Sequence, residues 1–84
     1  AAICAAPTIY GEMGLLEGKN ATCYPGMEDK LLGANWQEQP VVVDGNFMTS
    51  RGVGTAIAFA LTLVTILKDE ETAKSLANSI VYKW

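Results

Sequence analysis

The sequence predicts an α/β sandwich built on a mostly parallel sheet, and three observations lead there. Short apolar stretches suited to β-strands alternate with helical ones, the order that a parallel sheet with covering helices requires. Thr55 to Lys68 reads as a long helix, apolar over most of its circumference and therefore covered on more than one side. One hairpin signal, Asp44-Gly45 between two β-rich runs, supplies an antiparallel excursion at the sheet edge.

The elements follow in order. Ala5 to Leu16 is rich in Ala, Met and Leu and suits a helix, with Pro7 tolerated in its first turn and Gly14 or Gly18 turning the chain out. Asn20 to Tyr24 is short and β-compatible, and Pro25-Gly26 breaks it. Met27 to Leu32 makes a brief helix ended by Gly33. Pro40 to Ser50 is the hairpin, with Val41-Val42-Val43 and Phe47-Met48-Thr49 as its arms. Ser50 to Gly54 connects to the long helix, along which Thr55, Ala58, Thr62 and Thr65 form a narrow polar stripe. Asp69 is an N-cap candidate with Glu70 and Glu71 behind it, and Ile80-Val81-Tyr82 forms a short β-like tail.

With 84 residues there is room for at most one small domain, yet half of them are hydrophobic and only two are cysteines, so no disulfide framework compensates. The abrupt opening Ala1-Ala2-Ile3-Cys4 has no initiator Met and reads as the middle of a chain. The expectation is that residues 1–84 are the C-terminal half of one domain and pack on an N-terminal half; a complete miniature domain is the rival.

A net charge of −3 removes the basic footprint of a nucleic-acid binder, and the scattered Lys and Arg residues offer no patch for an anionic membrane. Val53 to Leu67 is shorter than the roughly 20 apolar residues of a membrane span. Asn20-Ala21-Thr22 matches a glycosylation sequon that is expected to stay unmodified. A reducing, cytoplasmic setting is expected. No metal is expected, because no His, Cys or carboxylate cluster has ligand spacing. Nor is a cofactor: Gly52 and Gly54 lack the third glycine of a dinucleotide fingerprint and no phosphate-loop lysine follows.

Chemistry concentrates at Cys4. Ala2-Ile3-Cys4-Ala5-Ala6-Pro7 places a cysteine between a β-like residue and a helix start, the arrangement of a nucleophile elbow. Free N–H groups and the positive dipole end of a helix there favour the thiolate, the nucleophilic form of the residue. The Ala5 N–H would serve as an oxyanion donor. On local sequence alone, a cysteine among alanines is more often a small buried hydrophobe, and that is the favoured reading before any resemblance is considered.

Ala2-Ile3-Cys4-Ala5-Ala6-Pro7-Thr8 resembles the cysteine elbow of the ThiJ/PfpI superfamily, in its DJ-1-like branch. The likeness continues through Ala21-Thr22-Cys23-Tyr24-Pro25, Asp29-Lys30 and Val42-Val43-Asp44-Gly45-Asn46. It is strongest at Thr49-Ser50-Arg51-Gly52-Val53-Gly54-Thr55-Ala56, and order and spacing agree over nearly the whole chain. This resemblance implies a flavodoxin-like three-layer sandwich, of which the chain supplies the C-terminal half, and a homodimer. It implies a small aldehyde or dicarbonyl substrate turned over by glutathione-independent glyoxalase (glyoxalase III) or deglycase chemistry. The alternative is a non-enzymatic oxidative-stress sensor or chaperone working through oxidation of the same cysteine. The acid–base glutamate and a second oxyanion donor would come from the N-terminal half.

Two departures narrow the chemistry. The position after the cysteine, histidine in protease-like members, is Ala5, and the position matched by Tyr24 is histidine in many DJ-1-like members. The chain contains no histidine, which excludes a Cys–His dyad within it and disfavours peptidase chemistry. Val53 stands in place of the family's proline. Tyr24, Ser50, Arg51 and Gly52 are the pocket candidates. Tyr24 either hydrogen-bonds a substrate oxygen or packs over the site, and Arg51 either holds a carboxylate or stands at the surface. Cys23 is a possible second, resolving thiol or an ordinary buried cysteine. Trp36 and Trp84 read as packing residues.

Overall fold

The computed structural model describes residues 1–84. Its strands are β1 (Ala2–Ile3), β2 (Asn20–Ala21), β3 (Asn35–Trp36), β4 (Val41–Asp44) and β5 (Phe47–Ser50), and its helices are α1 (Pro7–Glu12), α2 (Ala56–Leu67) and α3 (Glu70–Ser79). One sheet has the order β1-β5-β4, with β1 parallel to β5 and β4 antiparallel to it. β2 and β3 pair in parallel as a second sheet. Parallel pairing therefore predominates, and the antiparallel strand lies at the edge, as expected.

The hairpin shows the local rules at work. Its β-rich arms pair from Val41 opposite Ser50 to Asp44 opposite Phe47, which makes Gly45-Asn46 the two-residue turn. The expected turn, Asp44-Gly45, is thus one residue early. Gly45 takes a φ of +59° and Asn46 stays negative, the pattern of a type II′ turn, which wants glycine first. Asp44 remains in the strand and accepts the Asn20 N–H on Oδ2 at 2.7 Å, tying the hairpin to β2.

Other expectations are corrected. α1 stops at Glu12 rather than Leu16, because the Leu15 N–H returns to the Tyr10 carbonyl at 3.0 Å while Gly14 turns left-handed, a Schellman-type ending. Met27 to Leu32 forms only a 3-10 turn over Glu28–Lys30. It presses on α1 so closely that a Cβ on Gly11 would lie 2.4 Å from the Lys30 carbonyl oxygen. Only Asn20–Ala21 of the Asn20 to Tyr24 stretch is regular strand, and β3 had no counterpart in the pattern. Ile80 to Tyr82 is not β-like: Val81 takes a φ of +59° and the Tyr82 N–H bonds the Ala77 carbonyl at 2.8 Å, capping α3.

Leu16, Ala21, Cys23 and Leu31 form a buried cluster against which Tyr10, Met27, Ala34 and Phe47 pack. Only 16 of the 84 residues are buried, so much apolar surface stays open. On α2 Leu61 alone is buried, while Ile57, Ile66 and Leu67 are exposed. No helix is long and apolar enough to cross a membrane.

Candidate active site

β1 and β5 run side by side and end together, at Ile3 and Ser50. In α/β sheets the crevice beyond the carboxyl ends of parallel strands is where ligands bind. Cys4 is the first residue beyond that edge. Its φ of +67° lies in the left-handed region, which costs a residue with a Cβ roughly 1–2 kcal/mol. The conformation is held from both sides: the Cys4 N–H donates to the Ser50 carbonyl at 3.1 Å, and the Cys4 carbonyl accepts the Tyr24 N–H at 2.8 Å. The side chain is half-buried, in a free thiol. Strain maintained by the end of β5 on one side and the Tyr24 backbone on the other is typical of sites where a side chain must be presented.

The helix contributes less than its position suggests. α1 is six residues long, Pro7 has no N–H, and the N–H groups of Ala6, Thr8 and Ile9 bond the carbonyls of Ile3, Ala5 and Ala6. The expected set of free helix N–H groups is therefore reduced to one. Ala5, exposed and without a partner for its N–H in the chain, keeps the donor next to Cys4.

The pocket candidates separate into two groups. Tyr24 is half-exposed, and its ring lies 3.8 Å from where a Cβ on Gly52 would be, so Tyr24 and Gly52 are neighbours. Ser50 faces away: its buried Oγ donates to the Pro40 carbonyl at 2.5 Å and meets Thr55 Oγ1 at 2.7 Å, leaving its backbone carbonyl to support Cys4. Arg51 is engaged on three sides. Nε donates to the Cys23 carbonyl at 3.4 Å, Nη1 lies 3.7 Å from a Glu38 carboxylate oxygen, and the guanidinium sits 5.9 Å from the Trp36 ring centre.

Cys23 is fully buried and its Sγ–H donates to the Tyr24 carbonyl at 3.4 Å. Burial pushes the thiol up from its ordinary value, the Glu28 carboxylate adds to this, and Arg51 opposes it. Those surroundings keep it protonated and a poor nucleophile.

Sequence reasoning placed Thr55 in a helix stripe and missed its main contacts. Thr55 Oγ1 accepts the N–H groups of Arg51 at 3.2 Å and Gly52 at 3.1 Å and reaches the Gly52 carbonyl at 3.0 Å. A residue three positions into a helical turn that reaches back to its start is half of a capping box, which was the available signal. Thr49 was also missed; its buried Oγ1 accepts the Thr22 N–H at 2.9 Å. Residues 1–84 form no cavity lined by Cys4.

These features define an α/β protein with a cysteine presented at a strained turn beyond parallel strands. The family model described as "DJ-1/PfpI family" matches residues 1–66, and the chain belongs to that family. It is 46% identical to Protein DJ-1 homolog B of Arabidopsis thaliana over 99% of this chain and 19% of that protein. It is 40% identical to a deglycase of Pyrococcus abyssi over 81% of this chain and 42% of that protein. The solved structure of oxidized Toxoplasma gondii DJ-1 superposes with a TM-score of 0.90 at 36% identity, covering 99% of this chain and 46% of that one. The fold is the flavodoxin-like α/β fold of these relatives, and the chain spans less than half the length of each.

Proposed function

We propose that Cys4 is the nucleophile of a glutathione-independent glyoxalase or deglycase acting on small dicarbonyls. The observation that carries the reading is the left-handed backbone of Cys4, held between Ser50 and Tyr24 at the ends of two parallel strands and followed by the unpaired Ala5 N–H. Likeness to a protein named a deglycase supports the reaction class.

In this reading the Cys4 thiolate adds to the aldehyde carbon, and the carbonyl electron pair moves to oxygen, where the Ala5 N–H stabilises the developing charge. Protonation gives a hemithioacetal. An acid–base group then moves a proton from the former aldehyde carbon to the adjacent carbonyl carbon through an enediol, leaving a thioester. Water hydrolyses the thioester to the hydroxy acid and frees the thiol. The overall change adds one water, with no external oxidant. Tyr24 and Gly52 border the substrate, Ser50 and Arg51 fix the loop beneath it, and Cys23 stays outside the reaction. The acid–base group and further oxyanion donor belong to an N-terminal half, which packs on the open apolar faces of this chain to complete one domain. That domain works as a homodimer in a reducing, cytoplasmic compartment.

The test uses the intact protein, with methylglyoxal loss and hydroxy-acid formation followed together. Cys4→Ala is expected to abolish both, and full activity in that variant would end the enzymatic reading. The second reading, a redox sensor, is favoured by the same free, half-buried thiol. Mass spectrometry after mild peroxide separates the two: selective sulfinate at Cys4 without dicarbonyl turnover would select the sensor.

A further inference from the structure

We propose that Thr55 is a positioning residue for Cys4, acting through the Ser50–Gly52 loop. The inference rests on the reading of Cys4 as a reactive thiol and extends it to a residue whose side-chain hydrogen bonds go to Ser50, Arg51 and Gly52. The loop between β5 and α2 carries two glycines and would move freely unless something gathers it. One hydroxyl does so. Thr55 Oγ1 takes the Arg51 and Gly52 N–H groups and contacts Ser50 Oγ at 2.7 Å. Since the Ser50 hydroxyl proton is given to the Pro40 carbonyl, Ser50 Oγ and the Gly52 carbonyl are left as acceptors for the Thr55 proton.

Both supports of the elbow pass through this knot. The Cys4 N–H bonds the Ser50 carbonyl, and Ser50 is fixed by its links to Thr55 and Pro40. The Cys4 carbonyl is held by Tyr24, whose ring borders the open side of Gly52, and Gly52 is held through its N–H and its carbonyl by Thr55. Valine at position 55 keeps the shape and removes the hydroxyl. Two amides of the loop then lose their acceptor, and an unpaired amide turns toward water and takes the loop with it. The left-handed turn at Cys4, which is intrinsically costly, loses the frame that imposes it.

The experiment measures the rate of Cys4 alkylation by iodoacetamide in the intact protein across pH, with the modified peptide identified by mass spectrometry. Thr55→Val is expected to lower the rate at neutral pH by roughly tenfold or more and to displace the pH profile, since misplacing a reacting group by about 1 Å can cost up to ~100-fold. Thr55→Ser, which retains the oxygen, is expected to stay within about threefold of the parent with its pH profile in place, the size of a single weakened hydrogen bond. Equal rates and profiles for Thr55→Val and the parent would overturn the proposal, as would equal losses in both variants. Hydrogen exchange of the unmutated protein provides a check that needs no variant: Arg51 and Gly52 amides are expected to be protected, and exchange at free-loop rates would refute the knot. A parent protein whose Cys4 reacts no faster than a cysteine in a short peptide would refute the reading of Cys4 instead, so the two failures are distinguishable.

Discussion

Replacing Cys4 by glycine is expected to make the protein more stable than replacing it by alanine, the reverse of the usual order. Both substitutions remove the sulfur and leave the backbone bonds to Ser50 and Tyr24 available, so their difference isolates the backbone. At a φ of +67° a Cβ costs roughly 1–2 kcal/mol, and glycine avoids that cost. Glycine forfeits about 0.4–1 kcal/mol through the greater freedom of its unfolded chain. The balance favours Cys4→Gly by about 0.5–1 kcal/mol. With a urea m-value of about 2 kcal/mol/M, the midpoint of Cys4→Gly should lie roughly 0.3–0.5 M above that of Cys4→Ala. Urea unfolding of the intact protein, followed by tryptophan fluorescence with equal m-values required, makes the comparison. A Cys4→Ala midpoint equal to or above that of Cys4→Gly would refute the strained elbow.

Three further outcomes follow from the packing and the caps. Gly11→Ala should destabilise by about 1–3 kcal/mol despite alanine's helix preference, because the new Cβ would meet the Lys30 and Leu31 backbone rather than a movable side chain; a raised melting temperature would contradict the close approach. Val81→Gly should stabilise by about 1 kcal/mol, since an exposed β-branched residue occupies the left-handed cap of α3; calorimetry showing a loss would contradict that cap. Thr72, through its hydroxyl and then its backbone N–H, holds the Asp69 carboxyl below its ordinary range. The stabilisation is therefore complete above about pH 4, the unfolded value, and fades as pH falls through the lower folded value. Asp69→Asn should flatten that acid limb in pH-dependent circular dichroism, and an unchanged limb would count against the cap.

How much of this was legible in the sequence depended on whether the deciding interactions were local. The hairpin arms were readable because Val41 to Val43 and Phe47 to Thr49 favour strands and a glycine marks the bend. The turn slipped by one residue because Asp44 is held by Asn20, a contact 24 residues away. α2 and the Asp69 cap were readable from composition and spacing. Val81 read as strand from its side chain, but the carbonyls at the end of α3 recruit the following N–H groups and bend the chain back. Thr55 looked like one polar residue of a helix stripe, since nothing local shows that the loop amides converge on it. At Cys4 the elbow was suggested by flanking residues and by the family resemblance. Its left-handed backbone, the loss of most free helix N–H groups and the grip of Ser50 and Tyr24 required coordinates.

The most direct measurement compares the two thiols of one folded molecule. Timed alkylation of the intact protein at neutral pH, resolved by peptide mass spectrometry, should label Cys4 within the early time points and leave Cys23 unmodified until denaturant is added. Labelling of both cysteines at one rate, or of Cys23 first, would contradict a thiol presented for chemistry at position 4.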